Sequence, residues 1–239
     1  MKKITLFIFG AIILIGVIAI ATRNAPPAPE KDPQVAVTMY PLYDVVKTIA
    51  GDAVTTKLLV PAQVDPRTYT PSTLDRFSVN DTRVIYRIGF GLDDWSTTIA
   101  DAKTDVLTLS ADIAIRRDEG MQPNPYYFLT IGNAKQMATL AEKDLSSHFP
   151  AYRATFQANL VTYLAKLDAA DTQIRETLAR TSNPTIITTT NEWDYFAAAY
   201  GVTVTHGEGG SFALTSYGSE MSFIDLMVAA ANSIANNTP

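Results

Sequence analysis

The sequence predicts an α/β fold with parallel strands and helices in alternation, divided by one helix much longer than the rest. Three observations point there. Short apolar runs at Val35 to Met39, Val54 to Val60, Arg83 to Ile88 and Val106 to Leu109 are separated by segments of helical spacing, the pattern of a parallel sheet covered on both faces. From Ala151 to about Arg180, apolar residues recur at three- and four-residue steps without a break. Beyond Asn183-Pro184 a second, shorter βα pattern begins.

The chain opens with Met1, Lys2 and Lys3, and then Ile4 to Ala21 is apolar except for Thr5. About 18 helical residues rise about 27 Å, close to the thickness of a bilayer's hydrocarbon core. The leading lysines favour an inside N-terminus, which puts the remaining chain on the extracytoplasmic face. Ala19-Ile20-Ala21 reads as a small-x-small cleavage site, so residues 1–22 are either a removed signal peptide or a retained N-terminal membrane anchor. Residues 23–33, RNAPPAPEKDP, are a Pro-rich spacer. The chain has no cysteine, which excludes disulfides, thiolate metal sites and a lipidated N-terminal Cys. A net charge of −5 with no basic run excludes nucleic acid as the expected partner.

The elements then follow in order. Val35 to Met39 is the first strand; Leu42 to Ala50, with Val45, Val46 and Ile49 at helical spacing, is a helix stopped by Gly51-Asp52. Val54 to Val60 is a strand ended by Pro61. Ser72 is a candidate cap for a short helix reaching Ser78. Arg83 to Ile88 is a strand, Leu92 to Ala102 a helix, and Val106 to Leu109 a fourth strand. Ser110 to Pro125 is a polar connection, and Gly132 to His148 a helix. The long helix carries Phe156, Leu160, Tyr163, Leu167, Ile174 and Leu178 on one stripe, a rod of about 45 Å that could join two lobes. Thr185 to Thr189 and Val202 to Thr205 are strands around a helix from Glu192 to Tyr200. A Gly-rich turn, His206-Gly207-Glu208-Gly209-Gly210, leads toward a last helix over Ser222 to Ile234.

Four stretches occur in order: VTMYPLYD at 37–44 with LVPAQVDPRTYTPS at 59–72, NPYYFLTI at 124–131, TTTNEWDYFAAAYG at 188–201, and FALTSYGSEMSFIDLM at 212–227. Together they resemble the extracytoplasmic solute-binding proteins of zinc and manganese ABC importers. The resemblance implies a two-lobed fold bridged by one rigid helix: an N-terminal α/β lobe over 34–150, a linking helix over 151–181 and a C-terminal lobe over 182–239. It implies an ABC permease as partner and a metal held between the lobes by three histidines and a carboxylate. At those four positions this chain has Arg67, Tyr126, Thr190 and Thr215, with Asp65 and Glu192 as neighbours.

Arg67 is a permanent cation and cannot ligate a metal. Tyr126 ligates only as a phenolate, and threonine hydroxyls are weak neutral donors. Only two histidines occur, His148 and His206, so a three-histidine site cannot be built. No cofactor is expected, and zinc or manganese only through other ligands, with His206 and Glu208 as the weak candidates. Compared with the family, at least one βαβ unit of about 30 residues is missing after Val204, which predicts a truncated second lobe.

The expected role is the binding component of a metal-type importer with a degenerate metal site. The alternative is an exported module for a small anion, polar solute or partner protein, with Arg67 as the anion's counter-charge unless it pairs with Glu192, Asp194 or Asp65. No Ser/His/Asp order, phosphate loop or H-E-x-x-H is present, so no enzyme is expected, although Asp65, Asp93-Asp94 and Asp168/Asp171 invite that reading.

Overall fold

The structure is a computed structural model and describes residues 35–118, 120–207, 210, 212, 214–218 and 220–237. The segment Ile4 to Ala21, the spacer and Glu208 lie outside the described residues. Among the described residues, no helix is long and apolar enough to cross a membrane.

The first half contains β1 (Val35–Val37), α1 (Tyr40–Ala50), β2 (Thr56–Leu58), α2 (Thr73–Ser78), β3 (Val84–Arg87) and β4 (Asp105–Thr108). All four strands are parallel, in the order β2-β1-β3-β4, with Val35 opposite both Thr56 and Val84. Because strand side chains alternate between faces, Val35, Val37, Val84 and Tyr86 enter the main core. Ala36 and Ile85 enter a smaller cluster with Leu59, Val79 and Ile99. Pro41 sits in the first turn of α1, where its missing N–H is harmless, and Gly51 ends the helix at φ 59°, a conformation that suits glycine. Ser72 caps α2 through a full capping box with Asp75.

One expected helix does not form. Over 92–102 the chain makes only a 3-10 turn, Asp94–Thr98. The hydroxyls of Thr97 and Thr98 donate to the carbonyls of Asp94 and Trp95, three residues back. Such side-chain bonds offer the backbone a local alternative to helix. Just upstream, Asp93 turns inward to accept the N–H groups of Ile88 and Gly89.

The second half contains α3 (Ile131–His148), α4 (Arg153–Ala179), β5 (Thr185–Thr188), α5 (Asp194–Tyr200), β6 (Thr203–His206) and α6 (Phe223–Asn237). A 3-10 turn, Pro150–Tyr152, leads into α4, whose 27 residues make a rod of about 40 Å. Phe156, Tyr163, Leu167, Ala170, Ile174 and Leu178 bury its stripe. Strands β5 and β6 form a parallel pair, and α5 between them ends on Gly201 in the left-handed region.

Two strands cannot bury a core of their own. The chain solves this by returning α6 along α4 and against α1, with Phe223, Leu226, Met227, Ala230 and Ile234 buried. One apolar cluster therefore runs from Val35 through α4 to Ile186, Trp193 and Phe196.

Candidate functional site

In a parallel sheet, ligands gather beyond the carboxyl ends of the strands. The loops there meet in this chain. The loop after β2 reaches the C-terminal segment, where the Gln63 N–H donates to the Tyr217 carbonyl at 2.7 Å. Asn124 Nδ2 donates to the Asn191 carbonyl at 2.8 Å, and the Arg116 N–H donates to Tyr195 Oη at 2.6 Å. Tyr217 also borders a cavity of about 170 Å³, lined with it by Arg67, Thr188, Thr190, Glu192 and Thr215 and walled by Trp193 and Phe212.

The structure thus brings Arg67, Thr190, Thr215 and Glu192 to one cavity. Tyr126 lies behind it, buried in a 3-10 turn after Pro125, with its N–H donated to Asn124 Oδ1. Burial, and then the charge of Glu192, push the Tyr126 phenol well above its ordinary range, which opposes a phenolate there.

Arg67 is paired within its own loop. Its Nε and Nη2 donate to Asp65 at 3.1 and 2.7 Å, and its backbone N–H donates to Asp65 Oδ1 at 2.9 Å. Burial pushes Asp65 up, but the bonds from Arg67 outweigh it and hold the carboxyl below its usual range. Tyr217 Oη stands 3.5 Å from the same carboxylate. Of the three carboxylates that the sequence offers Arg67, Asp65 is the one within ion-pair distance, and the pair stays at the cavity mouth with the Arg67 side chain 45% exposed. The cation required by an anion-binding cleft is already engaged.

Glu192 is only 4% exposed. It accepts the Ser216 N–H at 2.6 Å, which ties the loop after β5 to the C-terminal segment. Burial raises its pKa, and the hydrogen bonding from Ser216 and the charge of Arg67 only partly oppose this.

His206 sits elsewhere. It lines a second cavity with Arg116 and Asp194, its Nε2 3.5 Å from Asp194 Oδ1. His148 stands near Asp105 and Asp144 at the other end of the first sheet. Among the described residues, no three His, Cys, Asp or Glu side chains cluster as a metal site. As donors for zinc or manganese, the cavity offers one carboxylate already bonded to a backbone N–H, together with neutral hydroxyls. That set does not fit the usual coordination of either ion.

Sequence reasoning missed Thr188, Trp193, Phe212, Ser216 and Tyr217. Trp193 and Thr188 stand one and two residues from positions that it did single out. Ser216 and Tyr217 directly follow Thr215, and strand and loop geometry brings such neighbours to the same opening.

Comparison with known proteins agrees with the fold. A family model described as zinc-uptake complex component A periplasmic, ZnuA, matches residues 35–212. The zinc-binding lipoprotein AdcA of Streptococcus pneumoniae serotype 4 is 26% identical over 220 residues, covering 84% of this chain and 43% of that protein. The manganese-binding lipoprotein MntA of Halalkalibacterium halodurans is 28% identical over 165 residues, covering 67% of this chain and 55% of its own. The chain therefore spans about half the length of these relatives. A zinc-bound ZnuA deletion mutant superposes with a TM-score of 0.75 at 21% identity, over 87% of this chain and 99% of that one. With more than half of its residues matched in one register, the chain belongs to the zinc-uptake complex component A periplasmic family.

Proposed function

We propose that this chain is an extracytoplasmic solute-binding component of a metal-type ABC importer whose cleft no longer captures metal in the family's manner. The observation that carries the second clause is the set of residues at the cleft: Arg67, Thr190 and Thr215 line it and Tyr126 lies behind it, where the family places three histidines and a carboxylate. The relatives' names support the importer role and an envelope location, and the apolar segment Ile4 to Ala21 supplies the route there. An ABC permease is the partner this reading requires, and binding rather than catalysis is the activity.

The test is a thermal-unfolding series on the full-length protein with Zn²⁺ and Mn²⁺. A metal present at 100 times its Kd stabilises by about 2.7 kcal/mol, a rise of roughly 5–10 °C in a protein of this size. No rise is expected at micromolar metal. A rise of several degrees that survives mutation of His148 and His206 refutes the degenerate cleft.

A further inference from the structure

Glu192 is buried with no ion-pair partner among the described residues, although Arg67 lines the same cavity. No Lys, Arg or His nitrogen lies within ion-pair distance of it among the described residues, since Arg67 spends its guanidinium on Asp65. Counted as ionised, Asp65 and Glu192 exceed the one guanidinium beside them by one formal charge, and Asp65 takes up that guanidinium. A carboxylate taken out of water holds a proton or gains a cationic partner, and a cation entering the cavity competes with that proton.

The walls narrow the class of that cation. Trp193 is held edge-on to Phe212, with ring centroids 5.3 Å apart and planes at 80°, and its Nε1–H is donated to the Leu214 carbonyl at 2.9 Å. Trp193 and Phe212 thus give the cavity fixed aromatic surface, with Tyr217 beside them; aromatic rings attract organic ammonium groups, and Trp and Phe supply no ligands to a hard metal ion. The hydroxyls of Thr188, Thr190 and Thr215 can accept hydrogen bonds from a donor-rich head group. At about 170 Å³ the cavity is smaller than the pockets of about 300 Å³ or more that hold drug-sized ligands, so the solute is small.

We infer that the cleft holds a small organic cation, a primary or methylated ammonium, with Glu192 as its counter-ion and Trp193, Phe212 and Tyr217 as its aromatic walls. This rests on the solute-binding reading above. It departs from metal capture and from an anion alike, since an anion would meet Glu192 and Asp65 with Arg67 already engaged.

The experiment is isothermal titration of the full-length protein with methylammonium, trimethylammonium and ethanolamine chlorides, with potassium chloride, sodium acetate and zinc chloride as comparators. At least one ammonium binds saturably at one site. Glu192→Gln, which keeps an acceptor for the Ser216 N–H, weakens that binding about tenfold or more. Arg67→Ala, which removes a cation from the cavity lining and frees the Asp65 charge, tightens it, and weaker binding overturns the inference. A melt of unliganded Glu192→Gln at or above the wild-type midpoint shows that the loss is not unfolding. The inference is overturned if no ammonium binds, if potassium binds as well as the ammonium ions, if acetate binds in their place, or if Glu192→Gln binds as wild type does. Those outcomes leave the importer reading standing. Zinc binding at the cleft overturns the degenerate-site reading instead.

Discussion

Asp93→Asn separates a structural carboxylate from a chemical one. Asp93 is fully buried, and its two oxygens take three donors: Thr38 Oγ1 at 2.5 Å, the Ile88 N–H at 2.9 Å and the Gly89 N–H at 2.6 Å. Thr38 follows β1, while Ile88 and Gly89 follow β3, so one side chain clamps the carboxyl ends of the two central strands. Asparagine has the same shape but turns an NH₂ group toward at least one of those donors. An orphaned buried donor costs about 1–3 kcal/mol. Burial raises the Asp93 carboxyl above its usual range, so loss of the charge itself adds no penalty. The result is a fall of roughly 2–12 °C in melting temperature for a chain of this size. Calorimetry or circular dichroism on the full-length variant measures it. Asp94→Asn is the control, because Asp94 meets Arg87 at 3.2 Å on the surface and its loss changes stability by under about 1 kcal/mol. An Asp93→Asn protein melting within a degree of wild type would refute the clamp.

The remaining predictions test the long helix and the cleft. Leu167→Ala, at a fully buried point of α4, is expected to cost about 2–5 kcal/mol in urea unfolding. Because one apolar cluster spans α4, single-tryptophan variants keeping Trp95 or Trp193 should report coincident midpoints, and separated midpoints would show that the two sheets unfold independently. Arg67→Ala removes a half-exposed pair and should change stability by under about 1 kcal/mol, whereas a loss above about 3 kcal/mol would mean that the guanidinium acts as a core strut. In an NMR titration of that variant, the Asp65 carboxyl should rise toward its ordinary range, since the Arg67 bonds that depress it are gone. Glu192 is raised by burial, with Ser216 and Arg67 pulling down and Asp65 pushing up. Its contribution is therefore full below the ordinary glutamate range and lost as pH climbs through its folded value. Glu192→Gln should accordingly gain stability relative to wild type from about pH 4 toward neutrality, and a gain that shrinks with pH would contradict the burial argument.

Much of the fold was legible because its signals are local. Val35, Val37, Val84 and Tyr86 alternate with Ala36 and Ile85, and a parallel sheet needs little more than such runs spaced by helices. The stripe on α4 read directly as a rod, and Ser72 with Asp75 read as a cap. The failure at 92–102 has a physical cause. Helical spacing was present, but Thr97 and Thr98 hold their own backbone turn, a competition that periodicity does not register. That a small second lobe must lean on the long helix and first lobe, or on a partner, follows from its size. The seat of α6 on α4 and α1 was not legible, because it depends on long-range contacts such as the Phe223 N–H donated to Asp44 Oδ2 at 2.8 Å.

The cleft divides along the same line. Substitution of the histidine positions could be read by position alone, so the absence of the family's donor set was visible before any coordinates. The electrostatic outcome was not, because it depends on which carboxylate takes Arg67. Asp65 is two residues away with a proline between, and that short loop lets backbone N–H and guanidinium converge on one carboxylate. Local pairing of this kind leaves the more distant Glu192 buried with only a backbone donor. A buried arginine paired with Glu192 would have produced a filled, inert cleft. Pairing with Asp65 leaves Glu192 lining a small cavity with no ion-pair partner among the described residues, the setting on which the ammonium inference rests.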